Sequence, residues 1–208
     1  METTTTRNHT EAQATQRPRR AVQLPSIPAG CAYPDHYELT VDLPDAGRIK
    51  LRPIREADAP GLEAFFKSLT SHSVYLRFFS FLRQLPPAML ARFTQIDYDQ
   101  EIALVALAET DGEERIIGDA RVVNTSEAGQ AEFSVIVSDP LQGKGIGACL
   151  LQHCLAIAHQ RGYQRIYGIV LAENRQMLAL GRKLGFSIKH IPGSTEYELS
   201  KAMVRDDK

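Results

Sequence analysis

The sequence predicts an α/β domain in which a mixed sheet carries helices on both faces. Three observations lead there. Residues 102–137 are rich in strand patterns, some continuously apolar and some alternating. Helical and strand patterns then alternate over residues 145–199. Short helical patterns also stand between the first strands and that middle region.

The elements follow in order. Residues 1–30 are expected to form a disordered leader. They hold a threonine run at 3–6, prolines at Pro18, Pro25 and Pro28, and no period of 2 or 3.6. Too little apolar surface is available there to offset the ordering entropy. Arg17, Arg19 and Arg20 give the leader a small basic cluster. Residues 31–47 read as a lead-in strand and turn: 37–43 alternate, and Pro44-Asp45-Ala46-Gly47 turns the chain. Residues 48–52 alternate again and complete a hairpin. Asp58 is a helix N-cap with Pro60 in the first turn and Leu62, Phe65, Phe66 and Leu69 at helical spacing. A second short helix is expected over 74–79, and a third after Pro86-Pro87, where Met89, Leu90 and Phe93 share a face. The apolar run 102–108 suits a strand covered on both faces. Asp111-Gly112 turns it into a return strand over 115–123. In strand 131–137, Phe133, Val135 and Val137 face one side and Glu132, Ser134 and Ile136 the other. A helix over 145–161 ends at Gly162, and strand 165–171 follows. Helix 174–184 ends at Gly185, and strands 186–190 and 196–199 complete the chain. Residues 204–208 are a tail.

Composition narrows the function classes. The 208 residues carry 24 Lys+Arg against 25 Asp+Glu, a net charge of −1, without the basic excess of a general nucleic-acid binder. No apolar run approaches the ~20 residues of a membrane-spanning helix, and the first residues lack the apolar stretch of a secretory signal. A soluble, cytoplasmic protein with neither membrane nor nucleic acid as partner is expected. Cys31, Cys149 and Cys154 are too few for a disulfide framework. Cys149 and His153 share a helical face but lack the partner spacing of a metal site, so no metal is expected. Phe65, Phe66, Phe78, Phe79 and Phe81 read as core. Asp97, Asp99 and Glu101 form an acidic patch, either a solvated loop or a steering surface for a cationic amine.

Chemistry is best sought where strand 131–137 runs through Asp139-Pro140 into Gln142-Gly143-Lys144-Gly145-Ile146-Gly147 and a strong helix. Three glycines permit close backbone approach, and the first amides of the helix supply a positive field, a combination that suits a phosphate-bearing ligand. The P-loop spacing GxxxxGK[ST] is absent. The dinucleotide fingerprint GxGxxG is not met either, because the spacing is GxGxG and the first downstream acid, Glu173, lies beyond the next strand.

This stretch resembles the coenzyme A loop [QR]xxGx[GA] of the GNAT superfamily of acyl-CoA N-acyltransferases. The downstream Asn174-x-x-Met177…Lys183-Leu184-Gly185-Phe186 is similar to that family's NxxAxxxYxKxGF helix. Upstream, Leu51-Arg52-Pro53-Ile54, Ser73-x-Tyr75-x-Arg77-Phe78-Phe79 and the segment 96–106 resemble the acetyltransferase domain of bacterial protein lysine acetyltransferases. The resemblance covers residues 48–203 and implies the GNAT fold, with a mostly antiparallel mixed sheet. Those relatives often carry the domain behind a large one similar to NDP-forming acyl-CoA synthetases. The 208 residues hold no counterpart of it, so the regulation that domain provides is expected to be either absent or supplied otherwise, an acyl-CoA synthetase being one partner the resemblance suggests.

The resemblance further implies acetyl-CoA as cosubstrate and a protein lysine as acceptor. The pyrophosphate would meet the turn from Gln142 and Gly143 through Lys144, Gly145 and Ile146 to Gly147. The pantetheine would pair along Val135, Ile136 and Val137, between splayed strands 131–137 and 165–171, and Asn174 would hydrogen-bond the coenzyme. A lysine ammonium has a pKa of about 10.4, so attack on the thioester needs a general base. Glu132 is the candidate, its pKa raised by a partly apolar cleft. Many family members place a tyrosine where this chain has Gly181, so no general acid is assigned there. The leaving thiol's pKa of about 8.5 allows solvent to serve, with Tyr167 and Tyr197 as the remaining phenols. Acetylation of a small amine or a protein N-terminus, and a non-catalytic acyl-CoA-binding module, are the rival readings.

Overall fold

A computed structural model describes residues 33–110 and 112–203. The leader with its basic cluster, Cys31, Asp111 of the expected turn, and residues 204–208 lie outside them. The first hairpin forms as expected from β1 (Leu39–Leu43) and β2 (Gly47–Pro53), with Gly47 at φ +72° closing the turn. β1 is an edge strand of the main sheet, so the lead-in belongs to the same fold.

Three helices follow: α1 (Ala59–Ser68), α2 (Ser71–Phe78) and α3 (Pro87–Thr94). Asp58 does not cap α1 with its side chain. Its carboxylate takes two N–H bonds from the Arg52 guanidinium and one from the Arg55 backbone, each at 2.7 Å. A bidentate, charge-assisted pair outcompetes a single cap bond. α2 starts earlier than its apolar spacing suggests, because the Thr70 hydroxyl accepts the Ser73 N–H and caps the helix.

The rest of the chain forms β3 (Glu101–Thr110), β4 (Glu113–Asn124), β5 (Gln130–Val137), α4 (Ile146–Gln160), β6 (Arg165–Leu171), α5 (Arg175–Lys183), β7 (Ser187–His190) and β8 (Glu196–Ala202). Among the described residues one sheet forms, in the order β1-β2-β3-β4-β5-β6-β8-β7. Every neighbouring pair is antiparallel except β5–β6, where α4 carries the chain back along the sheet.

The mixed, mostly antiparallel sheet with helices on both faces is the expected fold class. β3 shows why its apolar run is continuous. Ile102, Leu104 and Ala106 pack with Leu150, Leu151 and Cys154 of α4, while Ala103, Val105 and Leu107 pack with Leu62, Phe65 and Phe66 of α1. Both faces are covered, so neither parity of residue can be polar. β4 buries a charge pair as well: Arg121 donates to both oxygens of Asp119, at 3.0 and 2.8 Å, and to the Phe93 carbonyl.

Candidate active site

β5 and β6 stay in register over only three pairs, Gln130↔Arg165, Ala131↔Ile166 and Glu132↔Tyr167. Beyond them the strands part, at the point where the Phe133 ring rests on Gly168. A Cβ at Gly168 would lie 2.8 Å from Phe133 Cε1, so only glycine lets the ring sit there. Phe186 packs against the same ring, 5.0 Å between centroids. The expected splay between the two strands is therefore present, with an aromatic wedge at its root.

A cavity of about 420 Å³ opens along this fork. β5 contributes Glu132 through Val137, and α5 contributes residues from Asn174 to Lys183. The turn before α4 closes one end with Gln142, Gly143, Gly145 and Gly147. Gly143 and Gly145 have φ of +78° and +91°, values that side chains rarely adopt. Gly145 is the N-cap of α4 and has no side chain to satisfy the first amides of the helix, which stay available to an anion. A Cβ at Gly147 would meet Val137, Leu180 and Val135 at ordinary contact distance, so space alone does not demand glycine at that position.

The turn is tied down by polar side chains. Gln142 Nε2 donates to the Val137 carbonyl and to Ser73 Oγ, both at 3.1 Å. Ser73 Oγ donates in turn to Asp139 Oδ1 at 2.7 Å, and Thr70 adds its hydroxyl and backbone N–H to the same carboxylate. Burial alone would push the Asp139 carboxyl up, but these donors together hold it below the usual range. Gln142 thus positions the turn, while Asp139 and Ser73 fasten it to α2.

Most of the residues expected at the site converge here; two do not line the cavity. Ile146 is 1% exposed and its side chain belongs to the core, which leaves its amide for a ligand. Lys144 sits half-buried in the turn, outside the lining. Asn174 lines the cavity, but its Oδ1 caps α5 by accepting the Met177 N–H at 3.0 Å, so it offers a ligand its NH₂ group.

Glu132 lines the cavity from an exposed position on β5; the protein packed around it still displaces enough water to push its carboxyl pKa up, partly opposed by the Arg77 guanidinium. Tyr167, its register partner, is also pushed up by burial and by the Glu132 charge, but does not line the cavity. A Cβ at Gly181 would stand 2.4 Å from Leu199 Cδ2, so Leu199 fills the space beside that position.

Some expectations need correction. Glu101 is not part of a solvated patch: it is 2% exposed and paired with Arg92 through bonds of 2.6 and 2.8 Å. Asp97 and Asp99 do not line the cavity with Glu132. Among the five phenylalanines read as core, Phe79 lines the cavity at a left-handed φ of 56°, and Phe81 is 76% exposed, stacked on Tyr75. His153, for which no metal role was expected, meets the Tyr37 carbonyl at 2.8 Å.

Arg77, Ser73, Asp139 and Gly168 were missed as site residues. For Ser73 the signal was Thr70, a cap residue three positions ahead. For Gly168 it was a glycine inside an otherwise apolar strand.

The model of the acetyltransferase (GNAT) domain matches residues 48–187, most of the chain. The chain belongs to the GNAT acetyltransferase family. Acetyltransferase PA5475 of Pseudomonas aeruginosa is 35% identical over 152 residues, 73% of this chain and 81% of that protein. Acetyltransferase Pat of Mycolicibacterium smegmatis is 31% identical over 136 residues, and the match spans 65% of this chain but 40% of that longer protein. The solved GNAT domain of S. lividans PAT superposes with a TM-score of 0.74 at 31% identity, over 82% of this chain and 99% of that one. This GNAT domain is accordingly an acyl-CoA-dependent acetyltransferase. Among its described residues no helix is long and apolar enough to cross a membrane.

Proposed function

We propose that this GNAT enzyme transfers the acetyl group of acetyl-CoA directly to a lysine side chain of a protein, in the cytoplasm, with Glu132 as general base. The observation that carries this reading is that Glu132 opens into the same cavity that the strand fork and the glycine turn line. The amides of Gly143, Gly145, Ile146 and Gly147 are suited to the pyrophosphate, and the free side of Val135, Ile136 and Val137 to the amide-bearing pantetheine. Gln142 and Lys144 shape that turn, and Asn174 offers an N–H donor from α5.

The chemistry balances simply. Glu132 takes a proton from the lysine ammonium, directly or through water, and the neutral nitrogen attacks the thioester carbonyl. The C–N bond forms and the C–S bond breaks; the nitrogen sheds its second proton to solvent as the intermediate collapses, the thiolate takes one from solvent as it leaves, and Glu132 returns its proton to water, so one proton is released overall. A carboxylate whose pKa is raised by burial is better matched to this task than a solvated one. With Leu199 beside Gly181, no phenol at that position can serve as the acid.

Replacing Glu132→Gln keeps the shape and removes the base. At saturating acetyl-CoA, kcat for a lysine-bearing acceptor is expected to fall by about 10²–10⁴-fold. An unchanged kcat would sink the assignment. Labelled acetyl-CoA incubated with a cell lysate, followed by mass spectrometry, tests the acceptor: label on lysine supports it, and label only on small amines or protein N-termini overturns it.

A further inference from the structure

Arg77 has no role in the reaction as described so far, yet its setting is unusual. It projects from α2 towards β5, and its Nη2 donates to Ser134 Oγ at 2.6 Å. Arg77 is half-buried where it lines the cavity, its Nε is buried without a hydrogen-bond partner, and no carboxylate lies within ion-pair distance among the described residues. The Phe78 ring lies beneath it at 4.9 Å. Holding a cation partly out of water with no carboxylate partner is costly.

That field falls on the reacting end of the cavity. Ser134 and Glu132 are two residues apart on β5, so they share a face, and Arg77 and Glu132 both line the cavity. We propose that Arg77 is the positioning residue of the general base: anchored by Ser134, its fixed positive charge keeps Glu132 ionised and disfavours a protonated amine beside it. The inference rests on Glu132 being the base. It extends that reading: Arg77 holds the base in its deprotonated, proton-accepting form, while the surrounding protein keeps that carboxylate more basic than a solvated one. A positive neighbour stabilises a carboxylate and destabilises an ammonium, so the amine reaches the thioester in its neutral form.

The surrounding charges are consistent with this role. Burial lowers the Arg77 pKa to about 10; Asp119 and Glu132 oppose the fall, and Arg121 adds to it. Arg77 therefore stays charged throughout the working range. On β4, Asp119 and Arg121 are paired to each other, and the register partner of Glu132 is the apolar Val123. On β6, Tyr167 lies opposite Glu132 and stays protonated; Arg165, Glu127 and Glu198 act on that phenol. Among these, Arg77 is the group that opposes the burial of Glu132.

The test is kcat/KM against pH in five proteins: wild type, Arg77→Gln, Arg77→Lys, Ser134→Ala and Glu132→Gln. Because Arg77 lowers the Glu132 pKa, losing its charge raises it. The acid limb of Arg77→Gln should therefore move to higher pH, with a larger loss of activity on the acid side than on the alkaline side. Arg77→Lys should restore most of the limb's position. Ser134→Ala, which leaves the charge but frees it, should shift the limb less in the same direction, and it keeps the test alive if Arg77→Gln does not fold. A loss by the same factor at every pH overturns the proposal and leaves Arg77 a structural residue. If Glu132→Gln keeps the acid limb, the base reading itself fails. If Glu132→Gln abolishes the limb while Arg77→Gln and Ser134→Ala leave it in place, the role of Arg77 alone is refuted.

Discussion

Glu132 and Gly181 show how differently single residues announce themselves. Strand alternation was enough to put Glu132 on the face opposite Phe133, and the resemblance to lysine acetyltransferases suggested the role proposed for it. Gly181 could be seen only as a missing tyrosine. The structure adds what fills the gap, Leu199, which is fully buried. A methyl group at Gly181 must displace it, and overpacking of this kind costs about 1–3 kcal/mol. Alanine recovers about 1 kcal/mol of helix propensity. Gly181→Ala is therefore expected to lose about 1 kcal/mol net and to lower Tm by about 2–4 °C in a calorimetric scan. Arg77 was less legible than either, because its significance lies in the partner it lacks, which spacing cannot show.

At the scale of elements, the strand–turn–helix around the glycines was readable because each glycine interrupts an otherwise apolar pattern. The fork next to it was not. The parting of β5 from β6 depends on the Phe133 ring lying over Gly168, two residues 35 positions apart whose pairing exists only once the sheet has formed. Gly168→Ala places a Cβ 2.8 Å from that ring, which is itself 4% exposed and held by Phe186. A loss of about 1–3 kcal/mol is expected, together with a higher KM for acetyl-CoA. A variant with unaltered KM would show that the wedge does not shape the donor cleft. α2 was misjudged at its start for a related reason. Apolar spacing marks the buried face of a helix, whereas Thr70 and Asp139, which set its beginning and its attachment, are polar.

Across the whole molecule, the order of strands beyond the hairpins could not be read from local pattern, since β8 slipping between β6 and β7 is a tertiary outcome. The segment before β1 is fastened to the sheet by charge. Glu38 accepts from Tyr33 and pairs with Lys50 and Arg55 at 2.8 and 2.6 Å. Hydrogen bonds from Lys50 and then Tyr33 hold the Glu38 carboxyl down at about 2. Its folded pKa is lowered, so its stabilising effect is full above the unfolded value of about 4.3 and is lost as pH falls towards 2. The urea midpoints of wild type and Glu38→Gln should therefore converge over that interval; a constant gap would contradict the assignment. The fork between β5 and β6 has one further consequence, for evolution. Under the proposed function it greets the coenzyme with main chain, which every amino acid shares. Descendants can then exchange most side chains along the cleft and keep the same donor, provided the glycines and the aromatic wedge survive. On that reading, two chains that agree at only about a third of their positions, as this one does with the acetyltransferases it resembles, lose nothing the main chain supplies.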